Sequence, residues 1–128
     1  MRIYLAVGLG GVIGSLLRYL VSTMFWTDQA AAFPWATYVV NMSGAFLLTF
    51  IVFQPFIIDK LPPILFVGFT TGLIGSYTTF SMLILELITL WEDHLSLAIV
   101  YFLATLCGGL LASYAGYVVA NSSSKGRA

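Results

Sequence analysis

Charged side chains are the scarcest feature of this 128-residue chain. It has five Lys and Arg residues, five Asp and Glu residues and one His, so 8% of its residues are charged and the net charge at pH 7 is zero. Soluble domains carry about 25% charged residues, and so few charged side chains cannot cover the surface of a globule. The shortage excludes a monomeric soluble domain, a disordered chain and a nucleic-acid-binding protein with a basic face.

Cysteine and histidine are also nearly absent. Cys107 is the only cysteine, so no disulfide can form within the chain. His94 is the only histidine, and it stands in an acidic connection, WEDH, without metal-ligand partners at a useful spacing. The sequence offers no Cys–His or Ser–His–Asp set and no phosphate-binding loop. We therefore expect that the protein is not an enzyme.

Apolar residues are abundant instead and make up 60% of the chain. They form four long runs with short connections, and a helix needs about 20 apolar residues to cross a bilayer. Barrel strands would be about 10 residues long and alternate in character, which these runs do not. The sequence predicts a single all-α membrane domain, 1–128, with spans at approximately 3–24, 33–53, 62–91 and 95–120 and a polar tail at 121–128.

The few charges are distributed unevenly between the two sides of such a domain. Both termini and the second connection share one side, which carries Arg2, Lys60, Lys125 and Arg127. The opposite connections have no Lys or Arg, and their titratable residues are Asp28, Glu92, Asp93 and His94. Basic residues concentrate on the cytoplasmic side of membrane proteins. We expect a multi-pass protein of the cell (plasma) membrane with both termini in the cytoplasm.

Small residues recur at helical spacing in three of the spans. The rows are Gly10 and Gly14, Gly68 and Gly72, and Gly108, Ala112 and Gly116. Such rows allow helices to pack closely in a bilayer, within or between subunits. Because four helices form a thin bundle, we expect an oligomer, and a dimer is the commonest form.

The third apolar run is too long for one plain crossing and contains an unusual segment. Residues 72–81, GLIGSYTTFS, include two glycines, two serines and two threonines. Glycine is unfavourable inside helices, and Ser and Thr can satisfy freed backbone groups. We interpret the segment as a break of the third helix near the bilayer centre, where free backbone groups can serve an ion. A kinked helix with a purely structural role is the alternative.

Three polar or charged side chains lie well inside the first three spans. Asn41 needs a hydrogen-bonding partner in lipid, and it either bonds a neighbouring helix or donates its NH2 group to an anion on an aqueous path. Arg18 and Glu86 are charged and are candidates for structural or pore-rim roles. The sequence does not tell whether these two residues pair.

The last span carries Thr105, Gly109 and Ser113 at intervals of four residues. Residues at this spacing lie on one face of a helix. The two hydroxyl groups either line a pore or form hydrogen bonds with their own helix.

Together these residues resemble the Fluc (CrcB) family of fluoride channels over the whole chain. The resemblance rests on GGVIGSLLRY in the first span, WATYVVNMSGAFLLT in the second and TTGLIGSYTTFS in the third. It implies an antiparallel, dual-topology dimer with two fluoride pores along the subunit interface. It also implies a structural Na⁺ at that interface, held by the backbone carbonyls of Gly75 and Thr78.

The resemblance also assigns roles in the pore. Asn41 corresponds to the pore asparagine, Phe80 to the first ring of an aromatic pair, and Thr105 and Ser113 to a track of hydroxyl groups. A phenylalanine ring has a positive edge, so Phe80 can favour an anion without a full charge. Conduction requires that the anion is bound only weakly, because an ion that binds too tightly does not leave.

The chain departs from the family pattern after Phe80, where the string is TTFSMLI. Leu83 occupies the position of the second aromatic residue, where its role is either structural or at the pore rim, and Gly109 stands where a serine is common. A homodimer would therefore lack one aromatic ring in each pore. The uneven distribution of basic residues also favours one fixed orientation. We expect a heterodimer with an oppositely oriented homologue.

Two alternative functions belong to different classes. A small four-helix multidrug exporter would need a carboxylate in the middle of its first span, where this chain has Gly14 and Ser15. A non-conducting structural partner of a competent homologue is consistent with Met82 and Leu83. Efflux of fluoride from liposomes distinguishes these functions from a conducting subunit.

Overall fold

The computed structural model describes residues 1–25 and 33–125, and all regular structure within these ranges is helical. Four helices of the described part are long and apolar enough to cross a membrane, namely Arg2–Met24, Trp35–Phe53, Pro63–Asp93 and Leu95–Ser122. This confirms the prediction of an all-helical chain with four potential spans. Asp28, Arg127 and the end of the polar tail, on which part of the predicted orientation rests, lie outside the described residues.

The first two spans are uninterrupted helices. Helix α1 comprises Arg2–Met24 and helix α2 comprises Trp35–Phe53. The connection after α2, for which the sequence suggested no helix, contains the short helix α3 (Pro55–Lys60). Proline is favourable in its first turn because its missing N–H would have no helical partner there. Nζ of Lys60 lies 4.6 Å from the centroid of the Phe56 ring, a cation–π geometry.

The third span consists of several segments. It begins with helix α4 (Pro63–Val67), continues as a π-helical segment (Gly68–Ile74) and a short helix α5 (Gly75–Tyr77), and resumes as α6 (Ser81–Asp93). Thr78, at the end of α5, has φ −72° and ψ 157°, which is an extended conformation. π-Helical turns are rare and are frequently found at functional sites.

The fourth span is helix α7 (Leu95–Lys125), which follows α6 after His94 and continues beyond the predicted end at 120. Helix α2 packs chiefly against α7, and α1 packs chiefly against the π-helical segment and α5. These contacts are close. A Cβ at Gly14 would overlap the carbonyl oxygen of Leu73, and one at Gly116 would lie 2.5 Å from the carbonyl oxygen of Phe46. The small-residue rows therefore allow close packing within the chain. This was one of the two possibilities considered from the sequence, packing within or between subunits.

The apolar core of the chain lies where α2, α6 and α7 meet. Tyr101 is fully buried there, and its ring contacts that of Phe33 edge to face with centroids 5.2 Å apart. Leu83, Leu90 and Ala98 complete the buried cluster. Most other large apolar side chains in the described part are exposed on the single chain, as expected for surfaces that meet lipid or a partner subunit.

Candidate functional site

The non-helical residues of the third span lie against α2, where Asn41 binds Thr79. Nδ2 of Asn41 donates a 3.0 Å hydrogen bond to the Thr79 carbonyl oxygen, and the Thr79 backbone N–H donates a 2.9 Å hydrogen bond to Oδ1 of Asn41. Thr79 is buried. Of the two alternatives for Asn41, the structure therefore contains the bond to a neighbouring span.

Two neighbours of Asn41 on α2 contact the same segment. Oγ of Ser43 and the hydroxyl oxygen of Tyr77 are 3.0 Å apart. Gly44 approaches Thr78 so closely that a Cβ at position 44 would overlap Cγ2 of Thr78. The Thr78 hydroxyl donates a 3.1 Å hydrogen bond back to the Ile74 carbonyl oxygen. The motif NMSG of α2 therefore fixes the chain at the end of α5.

A cavity of about 380 Å³ lies between α2, the third span and α7. We call it the central cavity. Its lining includes five residues to which the sequence assigned a pore or cation-binding role, Asn41, Gly75, Thr78, Phe80 and Thr105. Ser113 does not contribute to the lining. The structure thus brings together most of the predicted site residues and leaves Ser113 outside the group.

Two side chains in the central cavity have properties that suit an anion. Oγ1 of Thr105 is buried, and it has no hydrogen-bonding partner among the described residues. Unpaired buried hydroxyl groups are uncommon because they cost free energy, so Thr105 retains a donor for another group. Phe80 is 73% exposed on the single chain, which leaves the positively polarised edge of its ring accessible.

Leu83 also borders the central cavity, but its side chain is part of the apolar core. It is 9% exposed and packs in the cluster with Leu90, Ala98 and Tyr101. Of the structural and pore-rim roles considered for Leu83, the structural one has direct support from this packing.

Glu86 has two hydrogen-bond donors that the sequence analysis did not identify. The Thr37 hydroxyl donates to Oε1 and the Tyr101 hydroxyl donates to Oε2, each at 2.7 Å. No ion pair between Glu86 and Arg18 is present in the described part of the chain. One signal was available, since Tyr101 precedes Thr105 by four residues and shares its helical face. Thr37 on α2 had no such signal.

Arg18 borders a second cavity, of about 550 Å³, between α1, α2 and α6. Hydroxyl groups dominate its polar lining, and they belong to Ser15, Ser22, Thr37, Thr79 and Ser81 among others. Thr79 borders both cavities. The predicted structural or pore-rim role of Arg18 is compatible with its position beside the second cavity. The two cavities meet at Thr79, in the non-helical segment of the third span.

Gly75 and Thr78, which the resemblance assigns to Na⁺, could offer a cation backbone carbonyl and hydroxyl oxygen atoms. Gly75 is exposed, Thr78 is partly buried, and both border the central cavity. Hard cations such as Na⁺ are bound by oxygen atoms, including backbone carbonyls. The described residues contain no group of three or more His, Cys, Asp or Glu side chains that could hold a metal ion. A cation at this place would therefore depend on neutral oxygen atoms.

Comparison with known proteins gives consistent matches along nearly the whole chain. The sequence model of the family described as CrcB-like protein, Camphor Resistance (CrcB), matches residues 5–117. The fluoride-specific ion channel FluC 2 of Geobacillus kaustophilus is 42% identical over 124 residues, which cover 96% of this chain and 96% of that protein.

Two further relatives have the same description. The fluoride-specific ion channel FluC 1 of Desulfitobacterium hafniense is 42% identical over 115 residues, covering 89% of this chain and 99% of that protein. FluC of Rhizobium meliloti is 40% identical over 119 residues, covering 91% and 94%. These relatives are described as ion channels and not as enzymes, in agreement with the expectation from the sequence.

Proposed function

Because this chain belongs to the CrcB (FluC) family of multi-pass membrane proteins, we propose that it is a subunit of a fluoride-specific channel that releases cytoplasmic fluoride passively. The observation that carries the proposal is the central cavity, in which Asn41, Phe80 and Thr105 meet beside the non-helical residues of the third span. No catalytic chemistry is needed, since the ion moves down its gradient.

The chemistry of these three residues suits a small, strongly hydrated anion. Fluoride must exchange water for fixed hydrogen-bond donors. The Asn41 amide can supply one, and so can the Thr105 hydroxyl, which has no partner within 1–25 and 33–125. The edge of the Phe80 ring adds a weak positive potential. None of the three carries a full positive charge, which would bind the ion too tightly for conduction.

A structural Na⁺ is part of the proposal. The backbone carbonyls of Gly75 and Thr78 would hold it at the subunit interface, near the bilayer centre, where the third helix is interrupted. Its charge would raise the positive potential around the anion path. This chain's own contribution is to present carbonyl oxygens in an extended conformation, with ψ 157° at Thr78, which a continuous helix could not do.

This chain is proposed to function in an antiparallel dimer, in which both termini of this subunit lie in the cytoplasm and its partner has the opposite orientation. The exposed Phe80 ring and the large apolar surface of the single chain support a partner subunit. A heterodimer is favoured over a homodimer because Leu83 replaces the second aromatic residue and packs in the core. The bias of basic residues toward one side supports a fixed orientation.

The test is efflux of fluoride from liposomes containing the chain alone or together with an oppositely oriented homologue. We expect efflux with the partner. Asn41→Asp should reduce it about tenfold or more, because a hydrogen bond to a charged group contributes about 1.5–3 kcal/mol. Phe80→Ile should also reduce it, because the positively polarised ring edge is lost. Thr89→Val is the control, since the exposed Thr89 hydroxyl donates a hydrogen bond within its own helix, to the Leu85 carbonyl oxygen.

Each outcome has a distinct meaning. Full efflux and full fluoride resistance from this chain alone would contradict the heterodimer. Efflux that is unchanged in both the Asn41 and the Phe80 variant of the assembled channel would contradict the assigned pore. That second result would favour the non-conducting structural partner, for which the packing of Leu83 in the core is the supporting observation.

A further inference from the structure

The two hydrogen bonds of Asn41 both go to the peptide groups of one residue, Thr79. In a continuous α-helix the Thr79 N–H would donate to the Gly75 carbonyl, and the Thr79 carbonyl would accept from the N–H of Leu83. The side chain of Asn41 takes the place of both helical partners. An amide side chain can do this because it presents one acceptor and one donor side by side, as a peptide does.

We propose that Asn41 is a positioning residue that replaces the helical partners of Thr79, and thereby leaves the Gly75 carbonyl available to a cation and aims its own remaining N–H at the anion path. The inference rests on the proposed function for the identity of the two ions. It goes beyond that function by assigning one side chain to both ion sites.

The need for the replacement follows from the burial of Thr79, which is 8% exposed. A buried peptide N–H or carbonyl without a partner is strongly unfavourable. Without Asn41, the buried peptide groups of Thr79 would have no side-chain partner in the present conformation. The segment would then open to solvent more often and would adopt a helical arrangement for part of the time. In that helical arrangement the Gly75 carbonyl would accept the Thr79 N–H and would no longer be free.

The same bonds determine which way the amide faces. The oxygen and nitrogen of an asparagine side chain are often interchangeable in a site. Here the Thr79 N–H requires the oxygen and the Thr79 carbonyl requires the nitrogen, so the reversed amide would place donor against donor and acceptor against acceptor. The second hydrogen on Nδ2 is the only donor left to Asn41, which borders the central cavity. The residue therefore offers an anion a donor.

A positioning role predicts effects that a simple anion ligand would not have. Asn41→Ala should raise the hydrogen-exchange rate of the Thr79 amide about tenfold or more, since one hydrogen bond to that amide is lost. It should also raise, by about tenfold, the Na⁺ concentration at which the purified dimer reaches half of its Na⁺-dependent gain in thermal stability. Asn41→Asp keeps an acceptor for the Thr79 N–H but opposes the Thr79 carbonyl with an oxygen, so its effect on exchange should be smaller.

Ser43→Ala is the matched control. It removes a hydrogen bond from α2 to Tyr77, next to the same segment, without touching Thr79. We expect neither amide exchange at Thr79 nor the Na⁺ midpoint to change in this variant. Ser113→Ala provides a second control. Ser113 lies on α7 outside the lining of the central cavity, so both quantities should stay unchanged.

The proposal is wrong if Asn41→Ala leaves either the exchange of Thr79 or the Na⁺ midpoint at the wild-type value. It is also wrong if the stability of the wild-type dimer does not depend on Na⁺. Fluoride efflux of the wild-type protein is measured in parallel. Absent efflux together with the expected exchange and Na⁺ effects would count against the proposed function and in favour of the positioning role.

Discussion

The hydroxyl group of Tyr101 on α7 donates a 2.7 Å hydrogen bond to the carboxylate of Glu86 on α6. Thr37 on α2 donates a second 2.7 Å hydrogen bond to the same carboxylate. Three helices therefore converge on a single acidic group, and that group is partly buried. A carboxylate inside a span is tolerated where it has such donors. Because Tyr101 belongs to the core and Thr37 borders the second cavity, the arrangement connects the core with that cavity.

The first prediction concerns this connection. Tyr101→Phe removes one donor while keeping the ring that packs against Phe33, so we expect the subunit to lose about 1.5–3 kcal/mol of stability. Tyr114→Phe, at an exposed position on the same helix, should change stability by less than about 0.5 kcal/mol. Unfolding in detergent with increasing dodecyl sulfate measures both. Equal effects in the two variants would show that the Glu86 bond does not stabilise the fold.

The second prediction concerns the contact of α1 with the third span. Gly14→Ala should destabilise the subunit by about 1–3 kcal/mol, because its Cβ would overlap the Leu73 carbonyl oxygen. Gly8→Ala is the matched change on the same helix, where a Cβ would meet nothing within 4 Å. Alanine is the better helix former by about 1 kcal/mol, so Gly8→Ala should be neutral or stabilising. The same unfolding measurement applies, and a loss of stability in both variants would contradict the packing argument.

The third prediction separates stability from conduction at Thr105. Thr105→Val removes a buried hydroxyl without a partner among the described residues, so we expect stability to rise by about 1 kcal/mol. Fluoride efflux of the assembled channel should fall at the same time, because a donor on the anion path is lost. Parallel unfolding and efflux assays check both effects. A loss of stability in Thr105→Val would indicate that the hydroxyl has a protein partner after all.

The fourth prediction concerns the position of the second aromatic residue. Leu83→Phe enlarges a side chain that is 9% exposed in the α6–α7 core, so it should cost about 1–3 kcal/mol by overpacking. It should not increase fluoride efflux, since the ring has to fit among core residues. Leu85→Phe, at an exposed neighbouring position, should be tolerated. Increased efflux at unchanged stability in Leu83→Phe would mean that a ring at this position reaches the pore.

The long apolar runs made the helical spans predictable, because backbone groups in lipid leave few other choices. The details of the third span were harder to predict. Ser, Thr and Gly at 72–81 indicated an irregularity, but a pattern of residue types cannot tell where helical geometry ends, and the structure places non-helical residues at 78–80. Helix α3 was also missed, since PFIIDK is too short to show helical periodicity.

The site residues also divide into those that could be predicted from the sequence and those that could not. Asn41 and Phe80 stand in recognisable motifs, and their grouping around one cavity was expected. The partners of Glu86 were not, because hydrogen bonds between Thr37, Tyr101 and Glu86 depend on how three helices are rotated against each other. The bond from Asn41 to Thr79 likewise depends on the extended conformation of Thr78. Sequence spacing specifies a face of one helix and says nothing about which residue of another helix it meets.

The pairing of the spans also has a consequence for the synthesis of the protein. Helices α1 and α2 leave the ribosome first, yet α1 packs chiefly against the π-helical segment of the third span and α2 packs chiefly against α7. Contacts between α1 and α2 are few. The two early helices must therefore persist in the lipid as separately inserted segments until the second half of the chain has been translated. A nascent chain that stops before α7 would leave α2 without its main neighbour, and such a fragment should be a substrate for membrane proteases.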